Sequence, residues 1–293
     1  MLCNLCPRKC NIDRSPLTEN GKGFCGMGEQ PVLARAALHF WEEPPISGEK
    51  GSGTVFFSGC NLKCVFCQNE IISSEKYGKT VSVERLKEIY SELIAQGAHN
   101  INLVTPTHYA HAVAESLKTP LPVPVVYNCG GYESISTLKM LEGKISIYIP
   151  DLKYADNALA MRYSAAPEYF ETATAAILEM YRQTGDYVIN DDGIMQKGII
   201  IRHLVLPGQL DNTKRVIDWV KSTFTDGQVL FSLMSQFTPN KSCRLDELGR
   251  RLNKSEYEEI AEYLYDSGIE DGFMQELSSA KEEYIPPFDL SGI

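Results

Sequence analysis

Strand-like and helix-like segments alternate along most of this chain, and the alternation limits the folds that it can adopt. Parallel strands need a long crossover connection, usually a helix, so the pattern predicts a parallel α/β sheet in a full or partial barrel. The predicted strands are residues 54–57, 101–104, 123–127, 145–149, 199–206 and 229–233. The predicted helices are residues 82–97, 112–117, 134–141, 157–185 with a break near Pro167, 213–223 and 255–267.

Polar segments follow most of the predicted strands. In parallel α/β folds, the loops at the carboxyl ends of the strands build the active site. The pattern therefore predicts an enzyme whose site lies at one end of the sheet. The segments concerned are residues 60–67, 105–108, 128–132, 151–153, 207–208 and Gln236.

Seven of the nine cysteines lie in two tight groups. Inside a reducing cell, clustered thiols favour metal or iron–sulfur ligation over disulfides. The isolated Cys129 and Cys243 are interpreted as a small buried hydrophobe and an inert thiol. The two groups are Cys3, Cys6, Cys10 and Cys25, and then Cys60, Cys64 and Cys67.

The second cysteine group occupies a turn directly after the first predicted strand. Its three thiolates can hold three corners of a [4Fe–4S] cluster and leave one iron open to a substrate or cofactor. Zinc is the alternative, but structural zinc takes four ligands, most often as two separated pairs, so the spacing fits it less well.

The spacing Cys-x3-Cys-x2-Cys, with the aromatic Phe66 before the last cysteine, resembles the cluster motif of the radical S-adenosylmethionine (SAM) superfamily. The resemblance implies that Cys60, Cys64 and Cys67 bind a [4Fe–4S] cluster whose open iron is chelated by SAM. It also implies reductive cleavage of SAM to methionine and a 5′-deoxyadenosyl radical, which then abstracts a hydrogen atom.

A closer resemblance covers nearly the whole chain. It is to the pyruvate formate-lyase activating enzyme-like group, often called PflX-like. The group implies a partial (β/α)6-type radical SAM barrel with a small N-terminal cysteine-rich module. It also implies a glycyl-radical enzyme or another protein as substrate, and an electron donor such as flavodoxin or ferredoxin. The matching segments are residues 3–10, 23–26, 42–48, 51–54, 104–109, 127–128, 150–154 and 202–208.

The same resemblance implies roles for individual residues. Asp151 and Lys153 would lie near the SAM carboxylate, with or without a monovalent cation. Arg202 would face SAM, and Gln236 would contact the ribose. Each residue also has a structural interpretation, such as a helix cap for Asp151 or an ordinary loop lysine for Lys153.

One departure from the superfamily concerns the SAM amino group. Many members place Gly-Gly-Glu after the second strand, whereas this chain has Thr105-Pro106-Thr107-His108. Hydroxyls and backbone carbonyls of this segment are therefore the candidate partners of the amino group. His108 is equally interpreted as a loop histidine with satisfied hydrogen bonds. Glu42 and Glu43 are interpreted as surface or linker charges, with a substrate contact as the alternative.

The first cysteine group supplies four thiolates, which saturate either zinc or a second iron–sulfur cluster. Spacing alone does not separate the two. We expect an N-terminal cysteine-rich module and linker at residues 1–50, with the linker at 31–50. The barrel would span residues 51–245, and a C-terminal helix and tail 246–293.

Two alternatives to a protein substrate stay open. One is a radical SAM enzyme that acts on a small metabolite, and the other is a non-catalytic iron–sulfur or zinc protein. The net charge of −10 and the absence of a Lys/Arg-rich run argue against nucleic acid as a partner. No signal peptide and no apolar run near the ~20 residues of a membrane span are found, so we expect a cytoplasmic protein without a membrane partner.

Overall fold

The computed structural model describes residues 2–14, 23–240, 242–277 and 286–293. The strands are β1 Val32–His39, β2 Ser52–Phe57, β3 Lys79–Thr80, β4 Ile101–Val104, β5 Val125–Cys129, β6 Ile147–Pro150, β7 Val188–Ile189, β8 Met195–Leu204, β9 Leu230–Met234 and β10 Gly272–Met274. The α-helices are α1 Pro44–Ser47, α2 Glu70–Ser73, α3 Val83–Ala95, α4 Ala110–Ser116, α5 Ile135–Met140, α6 Asn157–Ser164, α7 Tyr169–Thr184, α8 Leu210–Thr223 and α9 Lys254–Ser267. Short 3₁₀ helices lie at Thr107–Tyr109 and Asp246–Leu248.

One mostly parallel sheet organises the described residues. Its order is β10-β9-β8-β6-β5-β4-β2-β1-β3, and β7 pairs with β8. Every neighbouring pair from β2 to β10 is parallel, whereas β1 is antiparallel to both β2 and β3. The alternation of strand and helix therefore produces the predicted α/β class.

Two apolar layers hold the sheet. The larger layer packs helices α3, α4, α7 and α8 against the outer face of the sheet. The smaller layer lies on the opposite, inner face, where Val126, Ile147 and Ile200 of three adjacent strands meet Ile46 of α1. Since both faces are covered, these strands are apolar on both sides, as parallel strands usually are.

Capping residues and hydrophobic periodicity in the sequence predicted the ends of most helices and strands to within a few residues. Ser82 caps α3, because its side chain accepts a hydrogen bond from the Arg85 amide at 3.1 Å. The break near Pro167 is also present: α6 ends at the left-handed Ala165, and α7 begins two residues after the proline.

The linker expected at residues 31–50 is not a linker. Residues Val32–His39 form β1, which pairs with β2 from Leu33↔Phe57 to His39↔Ser52 and, at its start, with the two-residue β3. The strand contains three alanines, which have low β-propensity, so its pairing with other segments, mainly β2, makes it a strand. The short β10 also adds a parallel strand from the region expected to be tail. None of the helices in the described ranges combines the length and apolar character of a membrane span.

Candidate active site

A cavity of about 370 Å³ lies at the carboxyl ends of the parallel strands. Side chains at or just after the ends of β2, β4, β5, β6, β8, β9 and β10 line it, together with the loop that carries the second cysteine group. Most of the polar segments that follow the strands in sequence therefore meet in space. The turn at 207–208 does not line the cavity, and its Gly208 amide instead donates to Glu256 at 2.8 Å. The predicted site residues in the lining are Cys60, Cys64, Phe66, Cys67, Thr105, Asp151, Lys153, Arg202 and Gln236.

The cysteine loop begins with a turn that only glycine can make easily. Gly59 has a φ of +86°, and a Cβ there would lie 2.3 Å from the Cγ of Met27. The turn sends the chain from the end of β2 across the cavity mouth. Phe66 packs edge-on against Tyr163 and Phe237, so the aromatic residue of the motif anchors the loop in the core.

Each of the three sulfurs in this loop receives a hydrogen bond. The Ser164 hydroxyl donates to Cys64 Sγ at 2.9 Å, and the Ser73 hydroxyl donates to Cys67 Sγ at 3.4 Å. The amide of Leu62 donates to Cys60 Sγ at 3.3 Å. Thiolates with donors at sulfur are the ligand set that iron–sulfur clusters use, so these residues fit a [4Fe–4S] cluster.

Burial disfavours the charged form of these thiols. It raises the pKa of Cys67 to about 12, and the neighbouring Cys64 contributes to the rise. Burial raises the pKa of Cys60 as well. A bound metal cation supplies the positive charge that lets such thiols ionise, and metal loading releases their protons.

Asp151 and Lys153 form an ion pair at the cavity wall, with side chains that are 20% and 17% exposed. Although burial opposes it, the charge of Asp151 holds the pKa of Lys153 above its usual value. The backbone of this segment is fixed by the Tyr169 hydroxyl, which donates to the Asp151 carbonyl at 2.8 Å and accepts from the Lys153 amide at 3.0 Å. Asp156, rather than Asp151, caps α6.

Arg202 faces the cavity and binds two carboxylates. Its Nε donates to Glu43 Oε1 at 2.7 Å, and its Nη2 donates to both Glu42 and Glu43. The interpretation of these glutamates as surface or linker charges is therefore wrong, since their side chains are 9% and 7% exposed and line the cavity. The neighbouring His203 points to the other side of β8, where it is bonded to the Leu152 carbonyl and the Thr213 hydroxyl.

The segment in place of Gly-Gly-Glu divides into one residue at the cavity and two behind it. Thr105 lines the cavity with a φ of +59°. Thr107 and His108 are not among its lining residues: the Thr107 hydroxyl donates to Glu133 at 2.6 Å, and His108 Nε2 lies 2.8 Å from the Ser58 carbonyl. Burial lowers the pKa of His108 to about 3, so its ring is neutral.

Gln236 lies at the rim of the cavity near the cysteine loop. Its carbonyl oxygen is 3.4 Å from the side-chain amide of Gln68. Gln275, which sequence reasoning did not single out, lines the same wall after β10. Its position depends on the β9–β10 pairing, and no local signal in the sequence indicates that pairing.

The first cysteine group packs behind the cysteine loop rather than at the cavity. Arg8, between Cys6 and Cys10, donates to the carbonyls of Asn61 at 2.8 Å, Ser164 at 2.9 Å and Ala165. Its guanidinium lies 3.7 Å from the centre of the Phe24 ring. One N-terminal arginine thus ties together the cysteine loop and the end of α6.

Arg14 makes a second set of buried contacts. It donates to the carbonyls of Met27 at 3.1 Å, His108 at 2.6 Å and Gly28. Within the described ranges, no group of three or more His, Cys, Asp or Glu side chains has the geometry of a preformed metal site. Zinc or a second cluster at Cys3, Cys6, Cys10 and Cys25 therefore stays a prediction from the sequence, as does the cluster at Cys60, Cys64 and Cys67.

The comparisons with known proteins agree with this architecture. A family model described as a 4Fe-4S single cluster domain matches residues 46–115, the segment that contains Cys60, Cys64 and Cys67. The uncharacterized protein MJ0674 of Methanocaldococcus jannaschii is 29% identical over 271 residues, which cover 89% of this chain and 73% of that protein.

Among solved structures, SuiB of Streptococcus suis is 14% identical with a TM-score of 0.51, over 75% of this chain and 48% of SuiB. SuiB bound to its precursor peptide SuiA matches with 14% identity and a TM-score of 0.50, over the same shares of the two chains. The fold is that of the radical SAM barrel. This confirms the predicted fold class, and the chain spans about half the length of SuiB.

Proposed function

We propose that this protein is a radical SAM enzyme that cleaves SAM reductively and abstracts a hydrogen atom from a protein or peptide substrate. One observation carries the proposal. Cys60, Cys64 and Cys67 line the same cavity as Asp151, Lys153 and Arg202, at the carboxyl ends of the strands of a radical SAM barrel.

A bound [4Fe–4S] cluster would supply the electron that cleaves SAM into methionine and the 5′-deoxyadenosyl radical that abstracts hydrogen. The residues of the chain would hold and shield that chemistry. Ser73 and Ser164 donate hydrogen bonds to the sulfurs and so stabilise their thiolate form. Phe66 and the apolar layer on the inner face of the sheet would limit the access of water to the cavity, which would protect a reactive radical.

For the SAM contacts, we propose the residues that line the cavity. Lys153 would pair with the SAM carboxylate and Gln236 would contact the ribose. Thr105 would hold the amino group, since it is the member of its segment that lines the cavity. Thr107 and His108 would act from behind, since each is bonded to protein groups.

A protein or peptide substrate is supported by two facts. The sequence motifs resemble those of the activating-enzyme-like group, and the activating enzymes after which that group is named act on glycyl-radical enzymes. SuiB, which shares the fold, has been solved with a precursor peptide. An electron donor such as flavodoxin or ferredoxin would complete the reaction.

The experiment is anaerobic reconstitution with iron and sulfide, followed by EPR of the reduced protein with and without SAM and by chromatography of 5′-deoxyadenosine. A [4Fe–4S]⁺ signal that SAM perturbs, together with 5′-deoxyadenosine, would support the proposal. Zinc in place of iron at Cys60, Cys64 and Cys67, or no SAM cleavage in a fully loaded protein, would contradict it and favour a non-catalytic metal protein.

A further inference from the structure

Residues 286–293 run along the edge of β1 that does not face β2, and we call this segment the strap. The Ala36 amide donates to the Ser291 carbonyl at 2.9 Å, and the Leu290 amide donates to the Ala34 carbonyl at 3.1 Å. Gly292 lies so close to the strand that a Cβ there would be 2.1 Å from the Ala36 carbonyl oxygen. An edge strand presents unpaired backbone groups, and the strap satisfies two of those on β1.

Arg35 of β1 holds the strap through its side chain. Its Nη1 lies 2.7 Å from the Asp289 carboxylate, 3.1 Å from the Pro287 carbonyl and 3.4 Å from the Ser291 hydroxyl. The Arg35 side chain is only 19% exposed, so water screens this ion pair less than it screens a fully exposed one. Hydrogen bonds from Ser291 and Arg35 lower the pKa of Asp289 to about 2, so the carboxylate is charged at neutral pH.

The strap crosses from the inside of the partial barrel to its outside. Phe288 packs edge-on against Phe56, with ring centres 5.5 Å apart. Phe56 lines the cavity, whereas the adjacent Val55 belongs to the outer apolar layer, so Phe288 lies on the inner face of the sheet. Pro286 lines the cavity itself. At the other end of the strap, Ile293 packs against the outer apolar layer.

The strap lies at the side of the barrel that the sheet leaves open. Among the described residues, β10 is at one end of the sheet, β1 and β3 are at the other, and no strand pairing joins the two ends. The cavity reaches both ends, because it is lined by Phe273 of β10 and by His39 of β1. An active site that forms a reactive radical has to keep other molecules away from it, so such an opening needs a wall.

We propose that Pro286 and Phe288 form the side wall of the cavity, and that Arg35 is the positioning residue that holds this wall on β1. The wall determines which substrate groups fit, because it keeps bulky groups from entering between β1 and β10 and directs them to the carboxyl ends of the strands. The inference rests on the proposed function only in treating the cavity as an active site.

Thiol labelling of the anaerobically reconstituted full chain, with no SAM and no turnover, tests the wall. The reporter is Val104→Cys, because Val104 lines the cavity and packs, as Phe288 does, against the apolar group around Phe56. Two maleimides of the same reactivity and different size are compared, N-ethylmaleimide and a polyethylene-glycol maleimide. Peptide mass spectrometry measures the thiol that remains free at each position. With the wall in place, the small reagent should react and the bulky one should react far more slowly.

Variants of the strap and its anchor should open the wall to the bulky reagent. Arg35→Ala should raise the rate of the bulky reagent at the reporter roughly tenfold, the size expected for one lost hydrogen bond between charged groups, and should hardly change that of the small reagent. Phe288→Ala should act in the same direction, because it removes the ring on the inner face. Arg35→Lys keeps a cation for Asp289 and should restore part of the protection.

The exposed Arg251→Ala is the matched control and should label as the parent protein does. If Arg35→Ala and Phe288→Ala both left the rate of the bulky reagent as it is in the parent, the proposal would be wrong. Cys129 separates an open wall from a loosened fold, because it is 2% exposed and belongs to the outer apolar layer. It should stay unlabelled in Arg35→Ala while the reporter reacts.

Labelling of Cys129 in step with the reporter would indicate global opening and would overturn the role of Arg35 as a positioning residue. The readout is thiol reactivity, so it is independent of the 5′-deoxyadenosine assay. Failure of that assay would remove the activity assigned to the cavity, whereas failure of the labelling experiment would remove the wall.

Discussion

The N-terminal cysteine group packs behind the loop that carries Cys60, Cys64 and Cys67, and the surroundings of the two groups differ. Around Cys60, Cys64 and Cys67, hydroxyl and amide donors reach the sulfurs, and the residues face a cavity. Donors also reach two sulfurs of the N-terminal group, from the Phe24 amide to Cys10 at 3.4 Å and from Arg14 to Cys3 at 3.6 Å. None of its cysteines lines that cavity, however, and Arg8 and Arg14 bind backbone carbonyls of neighbouring segments.

The difference indicates that two clusters of cysteine thiols have different roles in this protein. The barrel group presents thiols to a space that a substrate can enter. The N-terminal group connects segments far apart in sequence, such as Arg8 with Asn61 and Ser164. We therefore propose that the N-terminal group braces the fold, and that Cys60, Cys64 and Cys67 form the reactive centre of the proposed function.

The strongest test of this comparison is to remove one cysteine from each group. Cys64→Ala should abolish 5′-deoxyadenosine formation, because the cluster would lose one of its three proposed ligands. Cys10→Ala should lower the melting temperature but leave SAM cleavage, counted per intact cluster, close to that of the wild type. Cys243→Ala is the control and should behave as the wild type. Loss of SAM cleavage per cluster in Cys10→Ala would contradict this difference in roles and would indicate that the N-terminal group relays electrons.

Glu133 is a buried carboxyl group that interacts electrostatically with Cys6 of the N-terminal group. Burial raises its pKa to about 7, although the hydroxyls of Thr107 and Tyr127 donate to it and oppose the rise. The folded state therefore binds a proton that the unfolded state releases above its ordinary pKa, and stability should fall as pH rises from about 4.5 to about 7.

The expected contribution is roughly 3 kcal/mol, from a pKa of about 7 against a usual 4.5. Urea unfolding between pH 4.5 and 8 measures it. Glu133→Gln should flatten that part of the profile, whereas exposed Glu88→Gln should not alter it. An unchanged slope in Glu133→Gln would contradict the assignment.

Arg8→Ala should destabilise the fold by about 2–3 kcal/mol, since three carbonyls lose a charged donor. Arg8→Lys should recover only part of this loss, because a point charge cannot reach three acceptors as a planar guanidinium does. Urea unfolding at constant pH gives the free energies, with the exposed Arg251→Ala as the matched control. If Arg8→Ala and Arg251→Ala were equally stable, the N-terminal segment would not brace the cysteine loop.

The smallest effect is expected at Ser164. Its hydroxyl donates to Cys64 Sγ at 2.9 Å, and such bonds stabilise the more reduced, more negative cluster. Ser164→Ala should therefore lower the reduction potential by roughly 40 mV, which corresponds to about 1 kcal/mol for one electron. Potentiometric titration followed by EPR measures the shift, and the exposed Ser222→Ala on α8 should show none. A potential that rises in Ser164→Ala would overturn this role.

Local signals in the sequence account for the frame and for the cysteine loop. The Cys60 to Cys67 spacing lies within eight residues, and the polar segments at 105 and 151 follow apolar runs that are strands. Glu42 and Glu43 were missed because their partner Arg202 is 160 and 159 residues away. β1 was missed because its alanines carry little strand preference of their own.

The sequence by itself determined the α/β class, the order of the elements and the cysteine motif, since these depend on short-range periodicity and spacing. Only the tertiary structure decided which distant polar groups meet: Arg202 with Glu42 and Glu43, and Arg8 with the Asn61 carbonyl of the cysteine loop. The physical reason is that an ion pair depends on distance in space, and strand ends far apart in sequence come together only when the sheet forms.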